Sequence, residues 1–129
     1  MVVDTSALVA ILKAEPEAAA FLAKLATAAV CRLSAANFVE AGLIASRDPT
    51  GAHLEALEDL LREFDIRIEP VGERQARLAL DAFRRYGKGT GHPAGLNYGD
   101  CFAYALAADT GEGLLFKGDD FPCTDLAPA

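Results

Sequence analysis

At 129 residues, with 52% apolar and 24% charged side chains, the chain has the length and composition of one globular domain with its own core, expected to span residues 1–129. No run approaches the roughly 20 apolar residues of a membrane span, and no basic segment leads the apolar N-terminus as in a secretory leader, so the expected location is cytoplasmic. A net charge of −7 excludes coating nucleic acid by charge alone. Three widely spaced cysteines and two histidines point away from a disulfide framework, a zinc site or a histidine-rich metal centre, so any metal would be held mainly by oxygen.

Residues 1–3 read as a short buried strand running into Asp4, and residues 5–13 as an apolar helix. Glu15-Pro16 opens a second helix, with proline in the first turn, carrying Ala19, Phe21, Leu22 and Leu25 to about residue 28. Residues 29–33 form a second strand. Ser34 is a good N-cap for a helix to about residue 46. Pro49 begins another helix with Leu54, Leu57, Leu60, Leu61 and Phe64 at helical spacing.

Residues 66–71 alternate as a strand, and residues 73–86 are helical up to Gly87. GKGTGHPAGL is a loop by its glycine and proline content. Residues 97–110 form a helix closed by Gly111, and residues 114–116 a continuously apolar strand. The order is β-α-α-β-α-α-β-α-α-β, with one helix of the last pair short or absent. It predicts an α/β protein: a three-layer α/β/α sandwich with a short, mainly parallel central sheet.

The carboxylates carry the chemistry. Asp4 ends the first strand, and Asp119 and Asp120 follow the last one closely. Ligand sites of open α/β sheets lie beyond the carboxyl ends of the strands, so these acids belong at that edge. Asp100 lies in the first turn of its helix, three residues after Asn97, as in a weak capping box. Glu40 has Ala36, Leu43 and Ile44 at i−4, i+3 and i+4, on or beside an apolar face where a glutamate has little reason to be; Asn37, one turn earlier, shares that polar corner.

Each acid also has a bland explanation. Asp4 caps its helix, Asp119 and Asp120 are turn residues, and Glu40 reaches out to water. Jointly the pattern is stronger. Four ionised carboxylates within ~6 Å of one another repel by about 3 kcal/mol per pair at an effective dielectric near 20. Six pairs reach the order of 15 kcal/mol, comparable with a whole domain's stability. Protonation, spreading or a divalent cation must relieve that cost, and hard oxygen donors suit Mg²⁺.

Charge is unevenly spread along the chain. Residues 48–73 are strongly acidic, whereas residues 84–99 hold no acid but include Arg84, Arg85, Lys88 and His92. Such a patch suits nucleic-acid contact, although Arg84 and Arg85 also suit a solvated helix end. Asp81, with these arginines at i+3 and i+4, reads as a surface ion-pair partner.

MVVDTSALVAIL, Glu40 within NFVEAGL, RYGKGTGHPAGLNYGDCFAYALA and LLFKGDDFPCTDL together resemble the VapC-type toxins of the PIN-domain ribonuclease family, over nearly the whole chain. The resemblance implies a Mg²⁺-dependent endoribonuclease, with Mn²⁺ as a substitute ion. It also implies RNA as substrate, a cognate VapB-like antitoxin as partner, and a homodimer. Its acidic quartet falls on Asp4, Glu40, Asp100 and either Asp119 or Asp120, with Asp4 and Asp100 as metal ligands and Ser6 as a supporting hydroxyl. Arg84, Arg85 and Lys88 are the candidate RNA-binding cations.

Other readings fit less well. A receiver domain needs an acidic pair after the first strand, where this chain has Asp4-Thr5, and a DxDxT phosphatase needs an acid at Ser6. The remaining alternative is a non-catalytic PIN-like module that binds RNA or protein.

Overall fold

The computed structural model describes residues 1–129. Its elements are β1 (Val2–Val3), α1 (Thr5–Leu12), α2 (Ala18–Thr27), β2 (Cys31–Ser34), α3 (Ala35–Ala45), α4 (Ala52–Glu63), β3 (Ile66–Glu69), α5 (Glu73–Tyr86), α6 (Tyr98–Thr110) and β4 (Leu114–Leu115), followed by a 3₁₀ turn at Phe121–Cys123. The four strands pair in parallel in the order β3-β2-β1-β4. No helix is long and apolar enough to cross a membrane.

The pleat divides the core. Successive residues of a strand face opposite sides, so Val2 and Leu114 pack with Ala79, Ala82, Leu96 and Leu106 under α5 and α6. Val3 and Leu115 pack on the other side with Leu8, Phe21, Leu33, Leu57 and Leu61. Two-residue strands suffice because both faces are covered, which gives the expected three-layer α/β/α sandwich.

Several boundaries differ from the sequence reading. The last helix pair is not abbreviated: α5 has 14 residues and α6 has 13. The second helix starts at Ala18 rather than Glu15. The chain reverses first through Ala14, at φ 50°, and Glu15 and Glu17 turn to pair with Lys117. The fourth helix waits until Ala52 because the Asp48 carboxylate accepts from Thr50 N and His53 N and winds residues 48–51 into a turn. β3 stops at Glu69, before Pro70, which has no N–H to donate.

The winding positions the site. From β1 the chain passes outward through β2 to β3, then returns to place β4 on the opposite side of β1. The switch point therefore lies at the carboxyl end of β1, where Asp4 begins. There Asp4 N donates to Leu115 O at 2.9 Å, tying the exits of β1 and β4 together.

Candidate active site at the sheet switch point

Asp4 does cap the helix that follows it: it is the N-cap of α1, and its Oδ2 accepts from Ser6 N at 2.9 Å. Its other oxygen, Oδ1, is buried without any hydrogen-bond partner, and the residue is only 2% exposed. Burial pushes the Asp4 carboxyl above its ordinary value; the Ser6 hydrogen bonds oppose this, and the charge of Glu40 adds to it.

Asp100 enters from α6. The capping box is complete: Asp100 N donates to Asn97 Oδ1 at 2.8 Å, and Asn97 N donates to Asp100 Oδ2 at 3.0 Å. One motif thus starts the helix and fixes the carboxylate's direction. Burial raises the Asp100 carboxyl to about 7 against the Asn97 hydrogen bond, with further upward pushes from the charges of Asp4, Asp120 and Glu40.

Those mutual influences bring Asp4, Glu40, Asp100 and Asp120 into one electrostatic neighbourhood. Of the acidic pair after β4, the charge that bears on Asp100 is that of Asp120, although spacing from the strand favours Asp119. Gly118, at φ 109°, turns the chain, and buried Phe121 packs against Phe116 at 5.2 Å between ring centres.

The acids do not close into a ready coordination sphere, since no three of them meet at one point at metal-ligand spacing. The repulsion foreseen from the sequence is met here by spreading, and what remains, together with burial, pushes the Asp4 and Asp100 carboxyls upward. The donor set nonetheless suits Mg²⁺, which takes one or two carboxylates and keeps water in its other positions. The orphaned Asp4 Oδ1 is such a donor, on a carboxylate whose charge bears on Asp100.

Two polar side chains support the acids. Ser6 Oγ accepts from Lys117 N at 2.9 Å, so the DTS turn also anchors the strand exit that leads to Asp120. Asn37, fully buried, sends Nδ2 to Gly99 O at 2.9 Å and lies 3.5 Å from Glu40 Oε1, which joins α3 to the first turn of α6.

The basic patch separates into two kinds of residue. Arg84 and Lys88 are exposed and form no ion pair within the chain. Arg85 is committed: it lies 4.7 Å over the Tyr86 ring, pairs with Asp81 at 3.7 Å, and donates to Tyr104 OH and Asp125 Oδ2, both at 3.3 Å. Tyr104 OH donates to Asp125 Oδ1 at 2.7 Å, a bond that leads in holding the Asp125 carboxyl below its usual range. This latch pins the segment just beyond Asp120. Sequence reasoning missed Tyr104 and Asp125; the one available signal was that both lie inside the two motifs that carry the acids.

A parallel α/β sandwich with acids at the sheet switch point is the class that the fold and the site define. Residues 1–125 match the PIN domain family model, and the chain belongs to the PIN-domain family. Within that family it is of the VapC type. It is 52% identical over 131 residues to ribonuclease VapC28 of Mycobacterium tuberculosis, covering 100% of this chain and 97% of that one. It is 47% identical over 130 residues to ribonuclease VapC of Mycolicibacterium smegmatis, covering 98% of each. The fold is that of the crystal structure of M. tuberculosis VapC20, described as a sarcin–ricin loop cleaving toxin, with a TM-score of 0.79 at 16% identity over 99% of this chain and 97% of that one.

Proposed function

We propose that this protein is a Mg²⁺-dependent endoribonuclease, the toxin of a toxin–antitoxin pair, which hydrolyses RNA phosphodiester bonds at the acid cluster. The observation that carries the reading is the buried Asp4 Oδ1, without a partner, on a carboxylate whose charge bears on Asp100, itself pushed up to about 7 chiefly by burial. A site that holds charge so reluctantly is built for a cation. The VapC ribonucleases to which the chain is about half identical support RNA as the substrate.

Asp4 and Asp100 would hold Mg²⁺, and Mn²⁺ would substitute. When bound, the ion supplies Lewis-acid charge to a phosphate oxygen and lowers the pKa of a bound water. The protein's own residues do the rest. Glu40 and Asp120 orient water at the edge of the cluster, Ser6 and Asn97 fix the two ligand carboxylates, and Arg84 and Lys88 hold backbone phosphates. A VapB-like antitoxin as partner, a homodimeric state and a cytoplasmic location belong to the same reading.

The test is cleavage of single-stranded RNA with and without Mg²⁺, in wild type and in Asp4→Asn and Asp100→Asn, each checked for folding by circular dichroism. Cleavage that needs Mg²⁺ and vanishes in both variants supports the enzyme. RNA binding without cleavage at any divalent-ion concentration would instead favour the non-catalytic module.

A further inference from the structure

Glycine at position 99 is not there for its backbone, because it lies inside α6 with ordinary helical geometry, where alanine is the better helix former. What it provides is space. A Cβ at Gly99 would stand 2.0 Å from Glu40 Oε2, 2.5 Å from Glu40 Cδ and 2.6 Å from Glu40 Oε1, all three nearest atoms belonging to that one carboxylate. The Gly99 carbonyl is also the acceptor for Asn37 Nδ2 at 2.9 Å, and Asn37 approaches the same carboxylate at 3.5 Å.

We propose that Gly99 and Asn37 form a seat that fixes the Glu40 carboxylate against the first turn of α6, and so sets its place relative to Asp4 and Asp100. Both are positioning residues; neither has to touch substrate. Glu40 rises from α3 on a flexible stem with three rotatable bonds. Asn37, one turn earlier on the same helix, approaches its carboxylate, and Gly99, one residue before Asp100, leaves room for it against α6. Asn37 has the rigidity for the task. It is fully buried, and its orientation is set by the Gly99 carbonyl, which requires the amide nitrogen there and leaves Asn37 Oδ1 buried without a donor. That acceptor, like Asp4 Oδ1, is buried without a protein donor, as expected beside a site that holds ordered water.

The proposal rests on the acids being the hydrolytic site, and it predicts an unusual pairing of effects. In Gly99→Ala the three nearest obstacles are the far end of one mobile side chain, so the helix should survive and Glu40 should move. Stability should be unchanged or slightly higher while the site degrades. Asn37→Ala removes the other wall. In both, kcat for a short RNA should fall at least tenfold with KM within about threefold. Mn²⁺ affinity measured by calorimetry without RNA should weaken severalfold, because the charge of Glu40 bears on both Asp4 and Asp100. Combining Gly99→Ala with Glu40→Ala should cost no more than Glu40→Ala alone, since the displaced carboxylate is then absent.

The outcomes separate. Wild-type kcat and Mn²⁺ affinity in both variants would overturn the seat and leave the nuclease standing. Weakened Mn²⁺ binding in both, with a wild type that cuts no RNA, would support the seat and sink the nuclease. A wild type that neither cuts RNA nor binds Mn²⁺ overturns both. A Gly99→Ala protein that unfolds would show that Glu40 cannot yield, and would reject the seat as a functional device in favour of plain packing.

Discussion

Removing a charge from the acid cluster should strengthen the metal-free fold, and Asp100→Asn is the clean test. The substitution keeps a side-chain oxygen to accept from Asn97 N, and Asn97 Oδ1 still accepts the backbone N–H of residue 100, so the cap is retained. Only the charge is lost. A tenfold change in proton affinity is worth about 1.4 kcal/mol, so raising the carboxyl from 3.8 to about 7 bounds the penalty at about 4 kcal/mol. The side chain is partly exposed, and solvent screening roughly halves that figure. Losing a negative charge at a helix N-terminus returns about 0.5 kcal/mol. The net gain is ~1.5 kcal/mol, or about 5 °C in Tm for a chain of this size.

The sign depends on pH. Below about pH 4 both folded and unfolded chains carry the proton, and Asp100 costs nothing. Between about 4 and 7 the unfolded chain has lost its proton while the folded one retains it, so wild-type stability falls as pH rises. Above about pH 8 the penalty is complete. The wild-type and Asp100→Asn curves should therefore meet near pH 4 and be fully apart at pH 8, in urea or thermal unfolding with EDTA present. Saturating Mg²⁺ should then stabilise the wild type and not the variant, closing or reversing the gap. A variant less stable than wild type at pH 8 in EDTA, or a gap independent of pH, would refute the reasoning.

The remaining expectations concern the parts around the cluster. Asp120→Asn should lower kcat at least tenfold, whereas Asp119→Asn stays within about threefold of wild type, measured on the same RNA. Tyr104→Phe should cost about 1–2 kcal/mol in urea unfolding, because it leaves Asp125 and Arg85 short of a buried partner, and it should lower cleavage by loosening the segment beyond Asp120. Arg84→Ala and Lys88→Ala should each flatten the salt dependence of RNA binding by about one phosphate contact. Arg85→Ala should show itself in Tm instead, since that side chain is already engaged.

The layers and the parallel sheet were legible because a local rule sets each part. Alternating faces in Val2-Val3 and Leu114-Leu115, the Ser34 cap and the Asn97–Asp100 box need only a few neighbouring residues. Boundaries failed where a distant or non-periodic contact decided them. Lys117 draws Glu15 and Glu17 out of the second helix, and the Asp48 carboxylate holds back the fourth. Asp4 stood out because a charge between a buried strand and an apolar helix is costly, whereas Glu40 stood out beside Leu43 and Val39, which the structure leaves exposed. The grouping of the acids was legible only in outline: the sequence left Asp119 and Asp120 open as the fourth acid, and in the structure it is the charge of Asp120 that bears on Asp100.

What the sequence hides is the scaffolding that carries no charge of its own. Glu40 is conspicuous, but the space it occupies is a missing methyl group 59 positions away on another helix, and no pattern in either segment signals an absence. Asn37 looks like a polar residue at a helix start until Gly99 O is found 2.9 Å from it. Arg85 shows the reverse error, since a cation in a basic run looks free until Tyr104 and Asp125 arrive from the other end of the fold. A substitution scan guided by charge would therefore choose Glu40 and Arg85 and pass over Gly99 and Asn37. The structure predicts that Gly99→Ala, the mildest change among them, separates activity from stability most sharply.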